Sequence, residues 1–197
     1  MRGYSVRRRA AGAELGHPEP VVTAPPSCTR HPDGYNAPMA RSKKISAGLM
    51  MYRLRGGALE VFLAHPGGPY WENKDAGGWS IPKGEAEPDE DLEATAVREF
   101  EEEIGVTPTE PRISLGSIRQ RGGKTVHCWA FEGEWEEGRV PDSNTFELEW
   151  PRGSGTMVTF PEVDRAAFFS TTEARIKINV AQIELIDRLA AHLGVAP

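Results

Sequence analysis

Gly84-Glu85-Ala86-Glu87-Pro88-Asp89-Glu90-Asp91-Leu92-Glu93-Ala94-Thr95-Ala96-Val97-Arg98-Glu99-Phe100-Glu101-Glu102-Glu103-Ile104-Gly105-Val106 places ten acids between Gly84 and Glu103 against a single base, Arg98. Such density repels itself unless a cation sits among the carboxylates. Asp89 follows Pro88 and can cap a helix start, acids in the first turn suit the helix dipole, and Gly105 can end the helix. The pattern therefore predicts a helix over Glu90 to Ile104. At about 100° per residue, Leu92, Ala96, Val97, Phe100 and Ile104 form one apolar face, and Glu99, Glu102 and Glu103 share a narrow stripe along its border. Three unpaired carboxylates held together would keep at least one protonated. A hard divalent cation takes oxygen ligands and removes the repulsion, so the stripe points to Mg²⁺, with Mn²⁺ as the alternative. Arg98 stands one turn before Glu102 and can orient its carboxylate.

The spacing goes further than a charged helix face. Gly84, five residues, Glu90, seven residues, then Arg98-Glu99-Phe100-Glu101-Glu102-Glu103-Ile104-Gly105-Val106 satisfies every fixed position of the Nudix box. A chance match to seven fixed positions is on the order of one in a million. The chain resembles a Nudix hydrolase over 23 residues of box, and more broadly from about Lys43 to Leu193. That resemblance implies an α/β fold: an α/β/α sandwich with a mixed β-sheet and a loop-helix-loop catalytic motif. It implies that Glu99, Glu102 and Glu103 bind Mg²⁺, that Gly84 supplies a backbone carbonyl, and that Arg98 and Glu90 brace the glutamates. It also implies a nucleoside diphosphate derivative as substrate, cut at its pyrophosphate. Glu102 is the first choice for accepting a proton from the attacking water, with Glu147 or Glu149 as the alternative.

Substrate choice rests on the flanks of the box. Trp79-Ser80-Ile81-Pro82-Lys83-Gly84 is similar to the entry of members that cleave dinucleoside polyphosphates or diphosphoinositol phosphates, in which the lysine matching Lys83 contacts phosphate. Tyr70 and Trp71, in the Gly/Pro-rich stretch His65 to Gly78, are candidates to stack on a purine. The preferred substrate is a dinucleoside polyphosphate, then a damaged nucleoside triphosphate, with ADP-ribose and capped RNA behind. The other class is a nucleotide-sensing module that binds without cutting. His65 and His127 read as structural histidines, and Lys124 as a solvent-facing turn residue.

Around the box the chain reads as strands at Ile45 to Leu54, Leu59 to Ala64, Ile113 to Arg119, Thr125 to Phe131, Met157 to Phe160 and Arg165 to Phe169. An amphipathic helix follows from Val180 to Leu193, its apolar line running through Val180, Ile183, Ile186, Leu189, Ala190 and Leu193, with Gly194 as its cap. Residues 1 to 38 differ in kind, with six of the 16 prolines and five arginines against three acids. They read as a disordered N-terminal extension, either a mis-start upstream of Met39 or an organelle-targeting leader, and residues 39 to 197 as the domain.

The 197 residues carry 23 basic and 29 acidic side chains, a net charge of -6, and residues 39 to 197 alone hold 18 against 26. No overall basic field exists to hold a DNA duplex. Cys28 and Cys128 form neither a disulfide framework nor a zinc spacing, and no apolar run reaches the roughly 18 residues of a membrane span. The expectation is a cytoplasmic protein.

Overall fold

The structure is a computed structural model and describes residues 44–196. The expectations for residues 1 to 38, for a start at Met39 and for Cys28 lie outside the described residues. β1 (Ile45–Arg55) and β2 (Ala58–Pro66) form the expected antiparallel hairpin across Gly56 and Gly57, both at positive φ. Then come β3 (Lys83–Glu85), α1 (Leu92–Ile104), β4 (Ile113–Arg119), β5 (Thr125–Glu132), β6 (Thr145–Glu149), β7 (Met157–Pro161), β8 (Val163–Ser170), α2 (Thr171–Lys177), a 3₁₀ turn (Val180–Gln182) and α3 (Ile183–Leu193).

The main sheet runs β4-β5-β1-β2-β8. It is mixed, because β5 lies parallel to β1 while the other neighbours are antiparallel. Alternation along β1 explains the sandwich, since successive side chains point to opposite faces. Ala47, Leu49 and Met51 pack with Phe62, Ala96, Phe100, Ile104 and Phe131 beneath α1. Met50 and Tyr52 pack with Val61, Leu63, Ile178, Leu185, Ile186 and Leu189 beneath α2 and α3. Each β1 neighbour is thus buried on both sides, and the acidic helix is fixed to one face by Phe100, whose ring meets Phe131 edge-on at 5.1 Å.

β1 also forks. Its end, Tyr52 to Arg55, pairs with β2, while its start, Ser46 to Gly48, pairs with β3. Ala64 and Ser80 exchange backbone hydrogen bonds of 2.9 Å, closing the long 65–79 loop at its neck. β6 and β7 form a separate two-stranded arm. Its base is tied to α1, where the Asn144 N–H donates to the Glu102 carbonyl at 3.1 Å.

Three readings need correction. α1 begins at Leu92, capped by Asp91, whose carboxylate accepts from the N–H groups of Glu93 and Ala94. Asp89, expected as the cap, sits at φ +65 in the preceding turn, and Glu90 stays outside the helix because its carboxylate is engaged by Arg98 and the Glu87 N–H. Val180 leaves the apolar line of the last helix and is 78% exposed, because the 3₁₀ turn has a different residue period and rotates it outward. No described helix is long and apolar enough to cross a membrane.

Candidate functional site

β3 brings Gly84 opposite Ala47, directly under α1. There the Glu99 carboxylate lies where a side chain at Gly84 would begin: a Cβ on Gly84 would stand 1.8 Å from its carboxyl carbon. Only glycine leaves that notch. Arg98 occupies the centre of the acidic stripe. Its Nε and Nη2 donate to the two carboxylate oxygens of Glu90 at 3.0 and 3.1 Å, and its Nη1 donates to Glu99 Oε1 at 2.8 Å and reaches Glu102 Oε2 at 3.4 Å. Glu103 turns the other way and accepts the backbone N–H of Lys83 at 3.1 Å. Glu101 points to solvent, as the helical period requires.

The electrostatics divide these acids. The bidentate Arg98 fork and the Glu87 N–H draw Glu90 down to about 2, and Glu90 and Glu99 in turn hold the guanidinium charged. Burial raises Glu99, opposed by Arg98 and reinforced by Glu102 and Glu162. Burial pushes Glu103 up to about 7, opposed by Lys83 and reinforced by Glu99 and Glu162. Burial lowers the Lys83 ammonium, whose hydrogen bond goes to Ser80 Oγ at 3.0 Å.

Among the described residues no three His, Cys, Asp or Glu side chains are drawn together tightly enough to hold an ion as they stand. Arg98 lies between Glu99 and Glu102, and the Lys83 N–H holds Glu103. The donor set nonetheless fits a hard divalent cation: all its ligands would be oxygens, and Glu99 and Glu103 are half-buried carboxylates whose charged forms disfavour each other.

The sequence reading missed Glu162, between β7 and β8, the acid from outside the helix that presses on both Glu99 and Glu103. Pro161-Glu162-Val163 carries no periodic signal that would single it out. Glu147 is exposed on β6, and Glu149 accepts the Gly155 N–H at 2.6 Å within the arm's own turn. Tyr70 and Trp71 are both exposed, but Tyr70 meets Trp150 edge-on at 5.5 Å, whereas Trp71 lies under the Lys74 ammonium at 4.6 Å. Trp150 belongs to the arm and was not foreseen, because the contact spans eighty residues of chain. His65 is buried, with Nδ1 2.7 Å from Asp164 Oδ1 and Nε2 2.7 Å from the Lys74 carbonyl, a structural role for the loop that bears the aromatics. His127 lies half-buried on β5, paired with Ala47 of β1.

Residues 43–189 match the NUDIX domain. No curated protein matches the chain. Among solved structures, the NUDIX domain of Shewanella oneidensis NrtR complexed with ADP ribose is similar at 15% identity and TM-score 0.54, covering 84% of this chain and 94% of that one. A C. elegans Ap4A hydrolase binary complex is similar at 20% identity and TM-score 0.52, covering 76% of this chain and 98% of that one. The M. smegmatis Nudix hydrolase RenU gives 18% identity and TM-score 0.50 over 79% and 90%. At these identities the likeness is one of fold.

Proposed function

This chain belongs to the NUDIX domain family, and from that premise we propose that it is a metal-dependent pyrophosphohydrolase acting on a nucleoside diphosphate derivative, most naturally a dinucleoside polyphosphate. The observation that carries this is the seating of Glu99 in the Gly84 notch, with one guanidinium joining Glu90, Glu99 and Glu102. A merely solvated acidic face has no use for a glycine notch beneath one of its acids.

In this reading Glu99, Glu102, Glu103 and the Gly84 carbonyl hold Mg²⁺ or Mn²⁺. When bound, the cation neutralises phosphate charge and makes water acidic enough to attack near pH 7. Arg98 and Glu90 position the ligands: the fixed Glu90 fork pins the guanidinium, which aims Glu99 and Glu102. Glu102, at 41% side-chain exposure against 15% for Glu99, accepts the proton of the attacking water. Glu162 is the further acid within electrostatic reach, and it joins Glu147 and Glu149 as an alternative base. Lys83 meets a phosphate away from the scissile bond, and Tyr70 and Trp71, with Trp150 beside Tyr70, cover a nucleobase. The protein works in the cytoplasm, its buried Cys128 as a free thiol.

The decisive measurement compares Glu102→Gln with Glu101→Gln on a nucleotide panel. Loss of kcat by orders of magnitude at Glu102 and near-normal rates at Glu101 are expected, since only one of them acts on the transition state. Equal losses at both sink the assignment. Nucleotide binding without turnover by the wild type in Mg²⁺ would favour the sensing module.

A further inference from the structure

β2 and β8 slip by one residue at the mouth of the aromatic-bearing loop. His65 faces Arg165 and Pro66 faces Val163, which leaves Asp164 as the extra residue of a bulge. Bulges re-aim side chains, and here Asp164 and Arg165, neighbours in sequence, both reach the same ring. His65 is fully buried. Its Nδ1 lies 2.7 Å from Asp164 Oδ1, and its Nε2 lies 2.7 Å from the Lys74 carbonyl oxygen. Both partners are acceptors. A neutral imidazole has one N–H and one lone pair, so it would set that lone pair against an oxygen, whereas an imidazolium donates on both sides. Burying that charge is costly, and the Asp164 carboxylate beside it offsets the cost.

The other charges around the ring balance. From β8 come Asp164 and Arg165, paired at 3.3 Å. From the loop comes Asp75 and from α2 Lys177, paired at 2.7 Å beside Trp79, whose ring meets His65 edge-on at 5.1 Å. Arg139, at the rim of the same cleft, is turned onto the Trp135 ring at 4.7 Å. Arg165 Nη2 stands 3.0 and 3.1 Å from the two ring nitrogens. The lone-pair directions of Nδ1 and Nε2 diverge in the ring plane, so a donor equidistant from both is in line with neither. With two acids against two cations, hydrogen bonding to the charged form sets the proton count.

The Lys74 carbonyl is the handle of the loop. The Lys74 N–H donates to the Trp71 carbonyl at 2.7 Å, the Trp71 N–H to the Gly68 carbonyl at 3.1 Å, and the Lys74 ammonium lies 4.6 Å over the Trp71 ring. A tie on Lys74 therefore reaches the turn that carries Tyr70 and Trp71. We infer that His65 is a positioning residue for substrate recognition: as an imidazolium shared between Asp164 and the Lys74 carbonyl it holds the Tyr70–Trp71 turn in its binding geometry, and loss of one ring proton releases that turn and weakens nucleotide binding. The consequence for recognition rests on the reading of Tyr70 and Trp71 as nucleobase contacts, but the state of the ring does not. Apparent affinity falls with the fraction of molecules whose turn is held, so KM rises with pH.

The test follows the full chain from about pH 5.5 to 9. Nitrogen NMR of the histidine rings, with the His65 signal identified by its loss in His65→Gln, should show both nitrogens protonated at the acid end and one proton lost as pH rises. Hydrogen exchange of the Trp71 and Lys74 amides, corrected for its intrinsic pH dependence, should quicken about tenfold over the same step, the scale of one charge-assisted hydrogen bond. KM on diadenosine tetraphosphate should rise about tenfold with it. His65→Gln keeps one donor for the Lys74 carbonyl and cannot titrate, so it should remove the step from exchange and from KM while kcat stays near wild type. His65→Leu should hold KM high at every pH, and His65→Gln carries the test alone if the leucine variant does not fold. A ring that is neutral at the acid end, a wild-type KM without the step, a step that persists in His65→Gln, or a loss in kcat in place of KM overturns the inference. Ring protonation and amide exchange need no turnover: if both behave as expected and no nucleotide is cut, the hydrolase reading fails and the clamp stands.

Discussion

At the scale of single residues, Gly84 and Glu103 give the sharpest expectations. Gly84→Ala places a methyl 1.8 Å from the Glu99 carboxyl carbon, so the carboxylate must swing away. A displacement of that order from productive geometry costs about 10²-fold in rate, and steady-state kinetics on the variant should show it in kcat, with the melting temperature changed far less. Glu103 predicts a pH dependence. Its folded pKa of about 7 lies above the ordinary 4.5, so the native state keeps a proton that the unfolded chain releases. Stability in EDTA should therefore fall as pH rises from about 4.5 to 7, by up to about 3 kcal/mol before solvent relaxation. Below that window Glu90 acts in the opposite sense: its depressed pKa gives a contribution present above 4.5 and lost as pH falls toward 2. Thermal melts across pH check both, and Glu103→Gln should flatten the upper slope. The grouping of Glu99, Glu102, Glu103 and Arg98 on one border of α1 was legible in the sequence because a helix has a fixed period. The approach of Glu162 to Glu99 and Glu103, and of Trp150 to Tyr70, was not, because it depends on where a distant arm comes to rest.

Among elements, α1 is fixed at both ends by residues whose replacement is measurable. Asp91 accepts two N–H groups, and Asp91→Ala should cost about 1 kcal/mol in denaturant unfolding. Gly105 sits at φ +73 with Asp142 Cβ 2.6 Å from where its own Cβ would be, so Gly105→Ala should cost more than the cap. The long strands and α1 were readable since each offers several turns or alternations of pattern. β3, of three residues, offers none, and exists because the fork in β1 leaves an edge to pair with. α2 spans seven residues, and the signal that would have found it is its Ser170–Glu173 capping box. β6 pairs with β7 alone and not with the main sheet, so five residues of strand give no pattern long enough to place it.

For the whole molecule, the two-sided core makes the sheet the rigid part and the acidic stripe a border of it. A cation that binds only the folded state then stabilises everything at once. Mg²⁺ at about a hundred times its Kd should add about 2.7 kcal/mol, seen as a rise in Tm that EDTA reverses, and Glu99→Gln should abolish that rise. Sequence periodicity gave the longer strands and the apolar face of α1, but which residues of the sheet face which helix, and which loops meet over the candidate site, depended on the register, the fork and the arm. The bridge between Ala64 and Ser80 has one more effect. Because Ala64 and Ser80 are clasped to each other, the aromatic-bearing loop between them is a closed ring whose size is independent of the strands on either side. Doubling such a loop costs only about 0.6 kcal/mol in closure entropy. Evolution, or a protein engineer, can therefore exchange residues 68–73 for a longer or differently decorated segment without shifting the register of β1, β2 or β3, so that what the protein recognises can drift while what it does to the bond stays put.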